Sequence, residues 1–142
     1  MEHVLFEIAS KELSLLKDFQ KTLKEERDCI IAFSIEGIVR TNNKKEELLK
    51  KLEFIESEKT RLMEKIPDRE KLFNDMRWKS VTDEIKAVLK DINTALGKNI
   101  NLLSFSVDYV RNTIENIVDF VNRTTYTGKG HQRLSVFPSR EI

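Results

Sequence analysis

The stretch that decides the fold is WKSVTDEIKAVLKDINTALGKNINLLSFSVDYVRNTIENIVDFV, from Trp78 to Val121. Its apolar side chains recur every three or four residues, which is the spacing of one face of an α-helix. No proline interrupts the stretch. The pattern predicts a single helix of more than about 40 residues. Its apolar stripe is Trp78, Val81, Ile85, Leu89, Ile92, Leu96, Ile100, Leu103, Val107, Val110, Ile114, Ile117 and Val121.

The spacing of this stripe changes along the helix. From Val81 to Leu103 its six steps average about 3.67 residues per turn, which corresponds to an eleven-residue repeat. From Leu103 to Ile117 the spacing tightens to about 3.5 residues per turn. Gly97 lies inside the stretch and is predicted to mark a bend or a close crossing of helices.

Two more long helices are predicted upstream. Apolar residues at helical spacing run from about Glu2 to Ile35, and a second run ends at Ile66. It stops there because Pro67 disfavours helical geometry in the residue before it. Residues 67–73 then look like a short helical connector that begins with proline in its first turn.

Two positions for the first turn remain open. The favoured one is Ser34–Ile38, with Gly37 as the C-terminal cap of the first helix, because glycine adopts a positive φ without strain. The other is Thr41–Asn43, where Asn43 would cap the second helix and Glu46 stands three residues later, as in a capping box.

Composition agrees with an all-α fold. The 142 residues include only four glycines and two prolines, too few for the turns of an all-β or α/β fold. We therefore expect an antiparallel bundle of three long helices and a short connector over residues 1–126. Helices should make up more than roughly 70% of the chain. Residues 127–142 lose the helical period, and we expect a flexible C-terminal tail there.

Charge and cysteine content narrow the class of protein. Lys plus Arg number 25 and Asp plus Glu 24, so the chain lacks the positive field that nucleic-acid binding requires. A single cysteine, an acidic start and no apolar segment of about 20 residues favour a soluble cytoplasmic protein without membrane insertion.

The sequence offers little catalytic or metal chemistry. The histidines and the cysteine, His3, His131 and Cys29, show no ligand spacing such as CxxC or HxxxH. Gly128-Lys129-Gly130 lacks the upstream glycine and the Lys-Ser/Thr pair of a phosphate loop. We expect no cofactor, no metal and no enzymatic activity.

The positive signal is an excess of apolar residues late in the third helix. Between Ile100 and Val121 more than half of the positions are apolar and only four are charged, more apolar character than the packing of one face needs. Either the first helix covers this excess or a partner helix binds it. The predicted binding residues are Leu103, Val107, Val110, Ile114, Ile117 and Val121, with Phe105 and Phe120, which lie off the main stripe, at the rim.

The order of these elements resembles the FlgN family of flagellar export chaperones. The resemblance covers most of the chain and rests on four features. They are Lys45-Glu46-Glu47-Leu48-Leu49-x-x-Leu52, Trp78 at the start of the third helix, Asn99-x-x-Leu102-Leu103-x-x-Ser106-x-x-Tyr109-Val110, and the closing Tyr126-Thr127-Gly128-Lys129-Gly130.

The resemblance implies a cytosolic, all-helical, non-enzymatic protein that holds hook–filament junction (hook-associated) proteins before export. It also implies that the C-terminal region docks on the cytosolic domain of the export gate, with Tyr126 as the best-matching aromatic residue. Packing of Tyr126 on Phe120 or Asn122 is the alternative. The competing class is a structural coiled-coil protein that self-associates through its apolar stripe, and the resting state is left open between monomer and homodimer.

Overall fold

The computed structural model describes residues 2–125. They form four helices: α1 (Glu2–Ile31), α2 (Ile35–Glu64), α3 (Arg69–Phe73) and α4 (Met76–Thr125). Of the described residues, 93% are helical and none lies in a strand. The predicted all-α fold of three long helices and a short connector is confirmed.

The chain is divided into two compact units. Unit 1 is Met1–Leu102 and contains α1, α2, α3 and the first half of α4, while unit 2 begins at Leu103 inside α4. The predicted boundary between a bundle of residues 1–126 and a tail of residues 127–142 lies outside the described residues. That boundary stays a prediction.

The core of unit 1 follows a heptad pattern in each long helix. Buried and half-buried positions recur at alternating spacings of four and three residues, the repeat of coiled-coil packing. We call these positions the seam. In α1 it is Leu5, Ala9, Glu12, Leu16, Phe19, Leu23, Glu26 and Ile30; in α2 Thr41, Lys45, Leu48, Leu52, Ile55, Lys59 and Leu62, followed by Ile66 just beyond the end of the helix; in α4 Trp78, Val81, Ile85, Val88, Ile92, Ala95, Asn99 and Leu102.

The seam corrects the predicted stripe of α4. The eleven-residue repeat placed Leu89 and Ile100 on the core face, but they are 46% and 65% exposed. Their neighbours Val88 and Asn99 face the core instead. The prediction was wrong at these two positions, whereas Trp78, Val81, Ile85 and Ile92 of the stripe do lie on the core face. It missed Asn99 because it followed apolar residues only.

Helix direction follows from the ion pairs between α1 and α2. Lys59 Nζ lies 3.0 Å from Glu12 Oε1, and Lys45 Nζ lies 2.7 Å from Glu26 Oε2. Residue numbers fall along α2 as they rise along α1, so the two helices are antiparallel.

Contacts between α1 and α4 show the opposite relation. The rings of Phe6 and Trp78 meet edge to face with centroids 5.7 Å apart. Further along both helices, Asn99 Nδ2 donates to the Leu23 carbonyl at 2.9 Å. Because residue numbers rise together, α1 and α4 are parallel and α2 is antiparallel to both.

The charged groups of the seam pair with one another. Lys59 binds both oxygens of Glu12, at 3.0 and 3.1 Å. Asn99 Nδ2 also donates to Glu26 Oε1 at 3.0 Å, so the Glu26–Lys45 pair is joined to α4. Among the described residues, no buried side-chain nitrogen or oxygen lacks a hydrogen-bond partner.

The first turn lies slightly before the predicted position, Ser34–Ile38, and the roles of Ser34 and Gly37 differ from those predicted. Helix α1 ends at Ile31, and Phe33, not Gly37, has the positive φ of 54°. Ser34 caps α2, and its Oγ accepts from the Gly37 N–H at 3.1 Å. The prediction that Gly37 caps the first helix was wrong, and so was the alternative break at Thr41–Asn43, which lies inside α2.

Gly37 is required for close packing between the helices. A Cβ atom there would meet Cys29 Sγ and would lie 2.9 Å from Ser34 Oγ. At Gly97, by contrast, a Cβ atom would meet nothing within 4 Å. The predicted close helix crossing at Gly97 is therefore absent from the described residues.

The connector helix also begins differently from the prediction. Asp68 is the N-cap of α3, accepting from the Lys71 N–H at 3.0 Å, so Pro67 precedes the helix rather than opening it. Ile66 and Leu72 are 6% and 1% exposed. The segment between α2 and α4 thus contributes two apolar side chains to the core.

The two helical glycines give a matched test of this packing. Gly97→Ala should raise the free energy of unfolding by up to about 1 kcal/mol, because alanine favours the helix. Gly37→Ala should lower it by about 1–3 kcal/mol, because its Cβ overpacks the contact with Cys29. Urea denaturation measures both, and stabilisation by Gly37→Ala would contradict the close approach.

The buried ion pair gives a second test. Glu12→Ala leaves the Lys59 ammonium, 22% exposed, with only Glu56, and should lower the free energy of unfolding by about 2–3 kcal/mol. The matched control is Glu47→Ala, which removes an ion pair to Lys51 whose side chains are 67% and 56% exposed. Its cost should stay below about 1 kcal/mol. If urea denaturation shows an equal loss of unfolding free energy in both variants, the seam pair stabilises the fold no more than an exposed pair does.

Candidate protein-binding site

Six apolar residues of unit 2 form one face of α4. Their spacings alternate between four and three residues, so their side chains lie on the same side of the helix. We call this set the distal face: Leu103, Val107, Val110, Ile114, Ile117 and Val121.

The distal face is largely open to solvent. Leu103 and Val110 are 39% and 42% exposed, and Val107 and Ile117 are 49% and 56% exposed. Ile114 and Val121 are half-buried. Since apolar side chains in a series along five helical turns are seldom left in water, this surface has the character of a binding site.

The two phenylalanines predicted at the rim of this face lie at different distances from it around the helix. Phe105 and Phe120 are 69% and 59% exposed. At about 100° per residue, Phe105 stands about 160° around α4 from Leu103, and Phe120 about 100° from Val121. One partner helix cannot contact Phe105 and Leu103 together, although Phe120 can lie at the margin of its contact.

Charges flank one side of the distal face. Asp108, Arg111, Glu115 and Asp119 are the charged residues between Leu103 and Val121, and their positions fall within about 80° of one another around the helix. Three of the four are acidic. The flank therefore carries a net negative charge next to the apolar surface.

Unit 1 has a second apolar surface that the sequence analysis did not identify. A groove of about 330 Å³ opens between α2 and α4, with α1 beneath. Its lining comprises Glu12, Leu16 and Phe19 of α1, Leu49, Leu52, Glu53 and Glu56 of α2, and Leu89, Ile92 and Leu96 of α4. The signal in the sequence was the pair of leucines next to seam positions, Leu49 beside Leu48 and Leu89 beside Val88.

Carboxylates and lysine meet at one side of this groove. Burial raises the pKa of Glu12, Lys59 opposes that rise, and the adjacent Glu56 carboxyl adds to it. The pKa of Lys59 is raised, because its bonds to Glu12 and Glu56 outweigh the effect of burial. The arrangement is an ion-pair cluster at the margin of an apolar surface.

The described residues show no metal site. Within residues 2–125, no group of three His, Cys, Asp or Glu side chains could hold a metal ion. No helix in this part of the chain is long and apolar enough to cross a membrane. Tyr126, predicted to dock on the export gate, lies outside the described residues.

Comparison with known proteins identifies the family. No curated protein and no solved structure matches the chain. A family model described as FlgN protein matches residues 1–133. This match covers nearly the whole chain and agrees with the resemblance found in its motifs. The chain therefore belongs to the FlgN family of flagellar export chaperones.

Proposed function

We propose that this export chaperone binds the helical termini of hook–filament junction proteins through its distal face. It thereby prevents their early assembly in the cytoplasm and delivers them to the export gate of the flagellar type III apparatus. The observation that supports this most is the exposure of the distal face, where four of six apolar side chains are at least 39% exposed.

The dimensions of the distal face suit a helix as the ligand. From Leu103 to Val121 the surface runs for about 27 Å along α4, at about 1.5 Å per residue. An amphipathic helix of similar length can lay its apolar side along such a surface. Such a helix would otherwise expose the apolar residues with which it assembles, so covering it delays assembly.

Self-association through the same face is the second candidate. The alternation of four and three residues is the repeat by which identical helices form coiled coils. A structural protein of this kind would form dimers or larger assemblies without a client, whereas a chaperone would form a defined complex with one.

The distal face can be tested by a charged double variant with a matched control. Val110→Asp with Ile117→Asp places two carboxylates on the face and should weaken binding of a junction-protein terminal helix about 100-fold or more, because buried charges lose hydration. Asn112→Asp with Asn116→Asp adds the same charge elsewhere on α4 and should change affinity less than about threefold. Fluorescence anisotropy with a labelled client peptide measures both.

Two further measurements separate the candidates. Circular dichroism should show equal helix content in both double variants. If the Val110/Ile117 variant is helical and binds the client as tightly as wild type, the distal face is not the client site. If light scattering shows large wild-type assemblies that this variant loses, and no client complex forms, self-association is the function.

Docking on the export gate is tested at Tyr126. Tyr126→Ala should weaken binding to the cytosolic domain of the gate about tenfold, because an aromatic anchor supplies much contact area with few rotors to freeze. Tyr126→Phe keeps the ring and should retain most of the affinity. Melting temperature and client binding should not change. A large fall in melting temperature with docking intact would instead assign Tyr126 a packing role.

A further inference from the structure

The groove of unit 1 has the form of a vacant helix position. Three helices leave a groove where two of them flank the third, and a fourth helix fills that place in four-helix bundles. Here α2 and α4 are the walls and α1 is the floor. The walls run from Leu49 to Glu56 and from Leu89 to Leu96, which is about 10 Å or two helical turns on each side.

The leucines on the two walls are open although they stand next to the core. Leu49 and Leu89 are each 46% exposed, while Leu48 beside the first is 5% exposed. Leucine, unlike a charged residue, gains nothing from this exposure. A partner that covers both walls would remove two large apolar side chains from water.

The charge of the groove specifies its occupant. Its lining contains three carboxylates, Glu12, Glu53 and Glu56, and neither lysine nor arginine. Lys59 beside the groove binds Glu12 at 3.0 Å and Glu56 at 3.2 Å. One ammonium thus faces two carboxylates, and no ion pair to Glu53 occurs within the described residues.

We infer that this groove binds an amphipathic helix that carries lysine or arginine beside its apolar stripe. Apolar side chains of two turns contact Leu49, Leu52 and Leu89, and a basic side chain at the flank pairs with Glu53. The site lies within unit 1 and its occupant has a defined charge, so it is independent of the client site proposed on the distal face.

The probes are two designed peptides. Each has a leucine stripe on an alanine background and a length of about five helical turns, and they differ only in carrying lysine or glutamate beside the stripe. Labelled at one end, they are titrated with the full chain and followed by fluorescence anisotropy. The lysine peptide should bind at least about five times more tightly than the glutamate peptide, because flanking charge pairs add to the apolar contact.

Two variants, each with a control, locate the site. Glu53→Lys should weaken the lysine peptide about fivefold and strengthen the glutamate peptide, whereas Glu25→Lys on α1 makes the same charge change outside the groove lining and should alter neither more than about twofold. Leu49→Ser with Leu89→Ser should weaken both peptides about tenfold. Phe54→Ser, at a side chain 65% exposed and outside the groove lining, is its control.

The outcomes separate this inference from the proposed function. The Val110/Ile117 aspartate variant should bind the lysine peptide as wild type does, and the Leu49/Leu89 variant should keep its affinity for the client helix. If the Val110/Ile117 variant no longer binds the lysine peptide, the peptide binds at the distal face and the inference is overturned. Equal effects of Glu53→Lys and Glu25→Lys, or equal binding of both peptides, would overturn it as well.

Discussion

The bundle of unit 1 depends on charged pairs placed in its own seam. Glu12 and Glu26 occupy heptad positions of α1, and Lys59 and Lys45 occupy the facing positions of α2. Removing a carboxylate from water is strongly unfavourable unless a partner is present. In the observed alignment every seam charge meets its opposite, and a shift of one seam position along α2 would place the Glu12 carboxylate beside Ile55 or Leu62 instead of Lys59. The pairs therefore fix the register in which α1 and α2 pack.

Asn99 extends this constraint to the third long helix. It is 4% exposed and donates both to the Leu23 carbonyl and to the Glu26 carboxylate. Single polar residues at seam positions specify register and partner in coiled coils, at some cost in stability. One polar layer, formed by Glu26, Lys45 and Asn99, thus aligns all three long helices.

Sequence periodicity was sufficient for the helices but not for their contacts. The long helices and the connector could be predicted because helical spacing continues through each and the breaks fall near proline or serine. The polar positions of the seam could not be predicted, because Glu12, Lys45 and Asn99 have the residue types of a solvated surface. The role of Gly37 was predicted wrongly. A glycine is needed there because the Cys29 side chain lies close by, and this contact exists only in the packed helices. The distal face could be predicted because its spacing lies within one helix. The groove could not, because Leu49 and Leu89 share a surface only when three helices pack in register.

The seam of unit 1 and the distal face differ in what they specify. The seam includes charged and polar residues, and these accept only one alignment. The distal face is made of leucine, valine and isoleucine alone, so apolar helices of several registers can bury against it at similar cost. The two heptad series of α4 are one residue out of phase, since the seam ends at Leu102 and the distal face begins at Leu103. No residue belongs to both series, so the side chains of the distal face can be substituted without changing any side chain of the seam.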